Sequence, residues 1–147
     1  MARSSKLRVV HSSEYIRRIL RTANEEDASR FKNGVKKLKR KSVHVTIESL
    51  SDEQFTLVST EDSIDVVQKS AGQTDIALRI SPSSFRRILE GDETPVEAFF
   101  FGHLRAKGLT RDLYGLHAFF LALAEIAVTS PKLQTLVEEF QDAKETS

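Results

Sequence analysis

The chain contains no cysteine and no tryptophan, and only one methionine, two tyrosines and three prolines in 147 residues. The absence of cysteine excludes disulfides, thiolate metal ligands and cysteine nucleophiles together, and it suits a reducing compartment. A long apolar run is also missing. The longest, Ala118 to Val128, spans 11 residues and contains Glu125, whereas a bilayer-spanning helix needs about 20. A buried amphipathic helix is the expectation there. The first ten residues hold no apolar signal-peptide core, so a cytoplasmic location is expected. Catalytic signatures are absent too. His11, His44, His103 and His117 form no His-x-x-x-His pair, the spacing that puts two ligands on one helix face. There is no Gly-x-Ser-x-Gly elbow, phosphate-binding loop or dinucleotide fingerprint. The adjacent carboxylates Asp92-Glu93 and Glu138-Glu139 read as solvated surface. No catalytic residue, metal site or cofactor is expected.

What is present is an ordinary globular composition, 39% hydrophobic and 29% charged. A chain of this length fits one domain and buries roughly two thirds of its unfolded surface. The net charge of +1 conceals an asymmetry. Residues 1–41 hold 13 Lys and Arg against 4 Asp and Glu, and the remainder holds 9 against 17. A basic arm on an acidic body could meet anionic lipid, nucleic acid or an acidic partner.

Residues 1–11 read as a flexible tail. Ser12 and Ser13 are positioned to cap a helix carrying Tyr15, Ile16, Ile19, Leu20 and Ala23 at helical spacing. Asn24 and Asp27 suggest a fresh start. The following stripe, Phe31, Val35 and Leu38, is interleaved with cations, and Gly34 weakens this helix by about 1 kcal/mol relative to alanine. After Lys41 the period changes to two. Val43, Val45 and Ile47 mark a first strand, Phe55 and Leu57 a second, Ile64 and Val66 a third, and Ile76, Leu78 and Ile80 a fourth. Short turns, including one at Ser70–Gln73, suggest a meander of antiparallel hairpins. Ser81-Pro82 opens a helix that Gly91 ends, Pro95 opens a shorter one, and Gly102 precedes a fifth strand over 103–108. A long helix from about Thr110 to Val128 and a last one after Ser130-Pro131 complete an α+β layout.

The stretch Asp75–Phe85, then Gly91, Pro95, Ala98-Phe99 and Gly102-His103-Leu104-Arg105-Ala106-Lys107-Gly108, resembles the sterol carrier protein 2 family over roughly residues 26–128. The resemblance implies one such domain over 12–147, with a five-stranded, mostly antiparallel sheet covered on one face by helices. It also implies an apolar tunnel between the layers for a fatty acid, acyl-CoA, sterol or isoprenoid lipid. Ala106 stands where the family usually has a larger aliphatic residue, which widens the expected cavity wall. The helices at 12–23 and 131–143 extend beyond the minimal domain and could serve a dimer interface.

On this reading the tunnel is lined by Phe85 and Leu89, by Phe99, Phe100 and Phe101, and by Leu104 and Ala106 of the fifth strand. Leu113, Leu116, Phe119, Phe120 and Leu123 complete it from the long helix. Three consecutive phenylalanines near a helix end project about 100° apart, so one core cannot bury them all. The competing reading for these apolar residues is ordinary packing. Tyr114 and His117 could orient a polar head group, against a surface or core role. The cations Lys32, Lys36, Lys37, Lys39, Arg40 and Lys41 form either a solvated helix face or a contact for an anionic membrane surface. Nucleic acid is the weaker use, because no aromatics alternate with these cations. A non-catalytic lipid carrier is therefore the expectation. The alternatives are an interaction or accessory protein that keeps the fold without cargo, and a nucleic-acid binder through the basic helices.

Overall fold

The computed structural model describes residues 11–68 and 73–145. The tail expected over 1–11, apart from His11, and most of the turn expected at Ser70–Gln73 lie outside the described residues. Helix α1 (Ser12–Glu26) buries Ile16, Ile19, Leu20 and Ala23 along one stripe. Its N-cap is His11, not a serine. Ser12 and Ser13 lie buried in the first turn and donate their hydroxyls outward, to the Glu53 carboxylate and the Gln68 side-chain carbonyl. Glu53 also accepts the Ser12 N–H at 3.0 Å. A carboxylate from a distant strand thus performs the capping, which leaves the serines free for tertiary bonds. Asn24 stays inside α1, and Asp27 alone caps α2 (Ala28–Lys37), accepting the Arg30 N–H at 3.1 Å.

Five strands follow the expected alternation: β1 (Ser42–Ile47), β2 (Glu53–Ser59), β3 (Ile64–Val67), β4 (Ile76–Ile80) and β5 (Leu104–Lys107). Their order is β3-β2-β1-β4-β5. The first three form the expected antiparallel meander, but the fourth does not continue it. β4 pairs in parallel with β1, from Val43 opposite Ile76 to Ile47 opposite Ile80, and antiparallel with β5. Burial explains the choice. Ile76, Leu78 and Ile80 are almost wholly enclosed, which an interior strand achieves. β3, with Asp65 and Val67 exposed, tolerates the sheet edge. The register is pinned at the β4 entry by Asp75, whose carboxylate accepts the Ser42 N–H at 2.8 Å.

Helices α3 (Pro82–Leu89), α4 (Pro95–Phe100), α5 (Thr110–Ala127) and α6 (Pro131–Glu145) complete the fold. Together with α1 and α2 they cover one sheet face, whose inward side chains include Val43, Val45, Ile47, Phe55, Leu57 and Leu78. On the opposite face Arg79 bonds Glu48 and Asp52, each at 3.0 Å. Ser81 caps α3 and Thr94 caps α4, the latter in a reciprocal box with Glu97. α6 bends away from α5 by 114°, and no single helix among the described residues is long and apolar enough to cross a membrane.

The α2–α5 contact explains two glycines. A Cβ on Gly34 would sit 2.7 Å from the Ala122 Cβ, and one on Gly115 would sit 2.4 Å from the Lys37 carbonyl oxygen. Gly34 is therefore a crossing point that lets two helices touch, and the propensity lost there is recovered in packing.

Candidate functional site

Leu104 and Ala106 alternate with Arg105 and Lys107 along β5, so the apolar pair faces the helices and the cations face the other way. α4 lies over this strand, tied to it by a bond from the His103 N–H to the Ala98 carbonyl at 2.8 Å. α5 closes the third side. Between them is a cavity of about 280 Å³, lined by Pro95, Val96, Phe99 and Phe100 of α4, Leu104 and Ala106 of β5, and six residues of α5. Those six are Thr110, Leu113, Tyr114, Leu116, His117 and Phe120. The volume lies near the lower end of the range for small-molecule pockets. The cavity opens to solvent, and its rim is apolar: Phe100 is 78% exposed and Tyr114 70%.

The structure brings together seven of the twelve residues expected to contact ligand: Phe99, Phe100, Leu104, Ala106, Leu113, Leu116 and Phe120. Phe85, Phe119 and Leu123 lie instead around a small internal gap of about 30 Å³ between sheet and helices. Leu116 and Phe120 line both spaces, so they form the partition between them. Leu89 is fully buried in α3 and lines neither. Phe101 also departs from the expectation. It is 69% exposed, its ring 5.9 Å from that of His103, because the turn after α4 carries it past the cavity. Pro95, Val96 and Thr110 also line the cavity, beyond the set of residues expected to contact ligand. Helical spacing carried the signal, since Val96 and Thr110 each stand four residues before a lining aromatic, Phe100 and Tyr114.

No Lys, Arg, Asp or Glu is among the lining residues. The polar side chains there are Thr110, Tyr114 and His117. His117 Nδ1 is buried and has no hydrogen-bond partner among the described residues. Burial pushes the imidazole below its ordinary pKa, so the ring is neutral near pH 7. No three His, Asp or Glu residues among those described come together as a metal site.

The basic cluster divides in two. Arg40 pairs with Glu61 at 3.3 Å, and Lys41 approaches the buried Asp112 at 3.7 Å. Lys32, Lys36, Lys37 and Lys39 are exposed and make no ion pair among the described residues. The Lys41–Asp112 pair and the Lys37–Gly115 contact set this basic end of α2 beside the first turns of α5. Those same turns carry Thr110 and Tyr114 at the cavity mouth. Lys39 and Arg40 both hold left-handed backbone, at φ 52° and 63°, a conformation costing a non-glycine residue about 1–2 kcal/mol.

The sequence profile of the SCP-2 sterol transfer family matches residues 17–116. No curated protein sequence matches the chain. Among solved structures, "UbiJ-SCP2 Ubiquinone synthesis protein" superposes with a TM-score of 0.60 at 20% identity, covering 84% of this chain and 99% of its own. Sterol carrier protein 2 of Yarrowia lipolytica, in its apo form, gives 0.55 at 20% identity, covering 81% and 94%. The sterol carrier protein domain 2 of Helicoverpa armigera gives 0.60 at 17% identity, covering 85% and 98%. At these identities the likeness is one of fold.

Proposed function

We propose, from the premise that this chain belongs to the SCP-2 sterol transfer family, that it is a non-catalytic carrier holding one apolar lipid in the cavity between α4, β5 and α5. The observation that carries this reading is the wall itself: apolar, open at one end, and free of charged side chains. Burying hydrocarbon against such a wall contributes roughly 25 cal/mol per Å². His117 has no carboxylate beside it in the lining to orient it as a general base, which supports holding a ligand over transforming one. A longer ligand needs more room, and the internal gap supplies it when Leu116 and Phe120 change rotamer and the two spaces join into a tunnel.

Native mass spectrometry of the purified protein, followed by organic extraction, tests the carrier reading. A stoichiometric co-purified fatty acid, sterol or isoprenoid lipid is the expected result. A clean apo mass with no uptake of fluorescent lipid analogues would replace it with an interaction module that keeps the fold without cargo.

Loading requires contact with a membrane, and the mouth is suited to it. The mouth has an apolar rim of Val96, Phe100 and Tyr114, and α2, which carries the exposed Lys36 and Lys37, packs at Lys37 against Gly115, the residue after Tyr114; on our reading these hydrophobic and cationic groups meet the membrane together in a cytoplasmic carrier. Each cation near an anionic surface contributes about 1 kcal/mol. The double substitution Lys36→Gln with Lys37→Gln is expected to weaken sedimentation with phosphatidylglycerol-containing vesicles roughly 30-fold. It should leave partitioning to neutral vesicles unchanged. Equal loss on both vesicle types would place the contact elsewhere.

A further inference from the structure

Leu116 and Phe120 stand at i and i+4 on α5 and together form the wall between the open cavity of about 280 Å³ and the internal gap of about 30 Å³. The two halves of that wall are not held equally. The Phe120 ring packs edge-on to Phe85 with centroids 6.3 Å apart, and Phe85 packs edge-on to Phe140 at 5.9 Å. Moving Phe120 therefore disturbs α3 and α6 as well. The Leu116 side chain has no such tether, but its backbone is fixed. The neighbouring Gly115 lies so close to α2 that a Cβ there would sit 2.4 Å from the Lys37 carbonyl oxygen. A side chain that can turn, on a backbone that cannot shift, makes a stop at a set depth. We infer that Leu116 sets the length of the cargo, and that the cargo is a single flexible chain whose tail ends against it. The inference rests on the carrier reading and narrows its ligand class.

Size and shape fix the class. A cavity of about 150 Å³ holds one benzene ring, so 280 Å³ holds roughly ten carbons. The polar end of such a chain stays in water at the mouth, beside the exposed Thr110 and Tyr114. It then needs no counter-ion, and the lining supplies none. Beyond Leu116 the space shrinks to about 30 Å³ against Val45, Ile47, Leu78 and Ile80 of the sheet. A chain advancing one methylene at a time uses room of that size once Leu116 yields. A rigid fused-ring sterol cannot narrow to follow, because the surrounding interior is close-packed. Each methylene buried before the stop gains the full transfer free energy. Each one after it must displace Leu116 from its packing, so the gain falls.

The test is a series of saturated fatty acids from about eight to about eighteen carbons, with cholesterol as the rigid comparison, titrated by calorimetry into the purified protein. Wild-type affinity is expected to rise about fourfold per methylene until roughly ten carbons are buried, and to level off beyond that length. Leu116→Ala should carry the rise on by about three further carbons, the size of the group removed. Destabilisation alone would weaken every chain and leave the break where it was. Leu116→Val, a smaller truncation, should move the break by about one carbon and keeps the test open if the alanine variant does not fold. A break at the same length in wild type and variants belongs to the solubility of the fatty acids and overturns the inference. So does a rise that continues unbroken in the wild type, or cholesterol bound more tightly than every chain; in each case the carrier reading stands. If neither cholesterol nor a chain of any length binds, the carrier reading itself fails.

Discussion

Ala106→Phe is expected to abolish uptake of an apolar fluorescent probe while raising the thermal midpoint of the protein. Ala106 faces the helices from β5 and lines the cavity, where only its methyl projects into a space of about 280 Å³. A phenyl ring there finds room and buries against Leu113, Leu116 and Phe120. Filling a void of this kind commonly adds about 0.5–2 kcal/mol, and in a protein of this size each kcal/mol moves the midpoint by roughly 2–4 °C. Ligand then competes with a covalently attached occupant, and probe affinity should fall more than tenfold. The two signs together are diagnostic. Leu104→Arg would also stop uptake, but Leu104 is buried, and an unpaired charge there destabilises the fold directly. Leu123→Arg is worse, since Leu123 lies beside the small internal gap and away from the open cavity. A folded, stabilised Ala106→Phe protein that still takes up the probe at wild-type affinity would move the ligand site out of this cavity.

The cavity was legible in the sequence to the extent that periodicity and the family resemblance reach. Alternation in β5 marks Leu104 and Ala106 as one face, and the apolar circumference of the helix after Gly108 marks it as lying between layers. Spacing cannot tell a residue beside a void from one beside a neighbour. Phe85, Leu89, Phe119 and Leu123 have the same sequence signature as Leu113 and Leu116, yet the first four pack in the interior away from the open cavity. Phe101 fails for another reason: one residue past the helix end, the chain turns and its direction no longer follows the 100° rule.

Topology was less accessible. Hairpin signals are local, and they correctly join β1 to β2 and β2 to β3. The parallel β1–β4 pairing depends on which strands bury both edges, a property of the assembled sheet. Tertiary bonds account for the misread cap as well. Ser12 and Ser13 carry a strong N-cap signature, but an acceptor from 41 residues away takes the Ser12 N–H. Distance in sequence likewise hid the relation of the basic end of α2 to the first turns of α5, which is made by the Lys41–Asp112 pair and the Lys37–Gly115 contact across the α2–α5 packing.

That long-range acceptor, Glu53, supports the second large effect expected. Its carboxylate accepts the Ser12 N–H and hydroxyl, pairs with the Lys144 Nζ at 2.9 Å and approaches the His11 Nδ1 at 3.2 Å. It thereby joins the start of α1, the start of β2 and the end of α6. Burial alone would raise its pKa, but the bonds from Ser12, Lys144 and His11 outweigh that and bring it to about 2, from an ordinary value of 4.5. A carboxyl with a depressed folded pKa contributes its stability above the unfolded value and loses it as pH falls through the folded one. The contribution is therefore complete above pH 4.5 and disappears on acidification toward pH 2. Glu53→Gln removes the charge facing Lys144, whose side chain is itself only 8% exposed. The cost expected at pH 7 is about 2 kcal/mol, below that of a fully buried pair because Glu53 retains solvent contact. Urea unfolding of the two proteins should show that gap at pH 7, a smaller one at pH 3.5, and little of it at pH 2, where the folded carboxyl is about half protonated. A gap that persists unchanged at pH 2 would mean that the variant acts through packing and that the ionised Glu53 does not join the two terminal helices to the sheet.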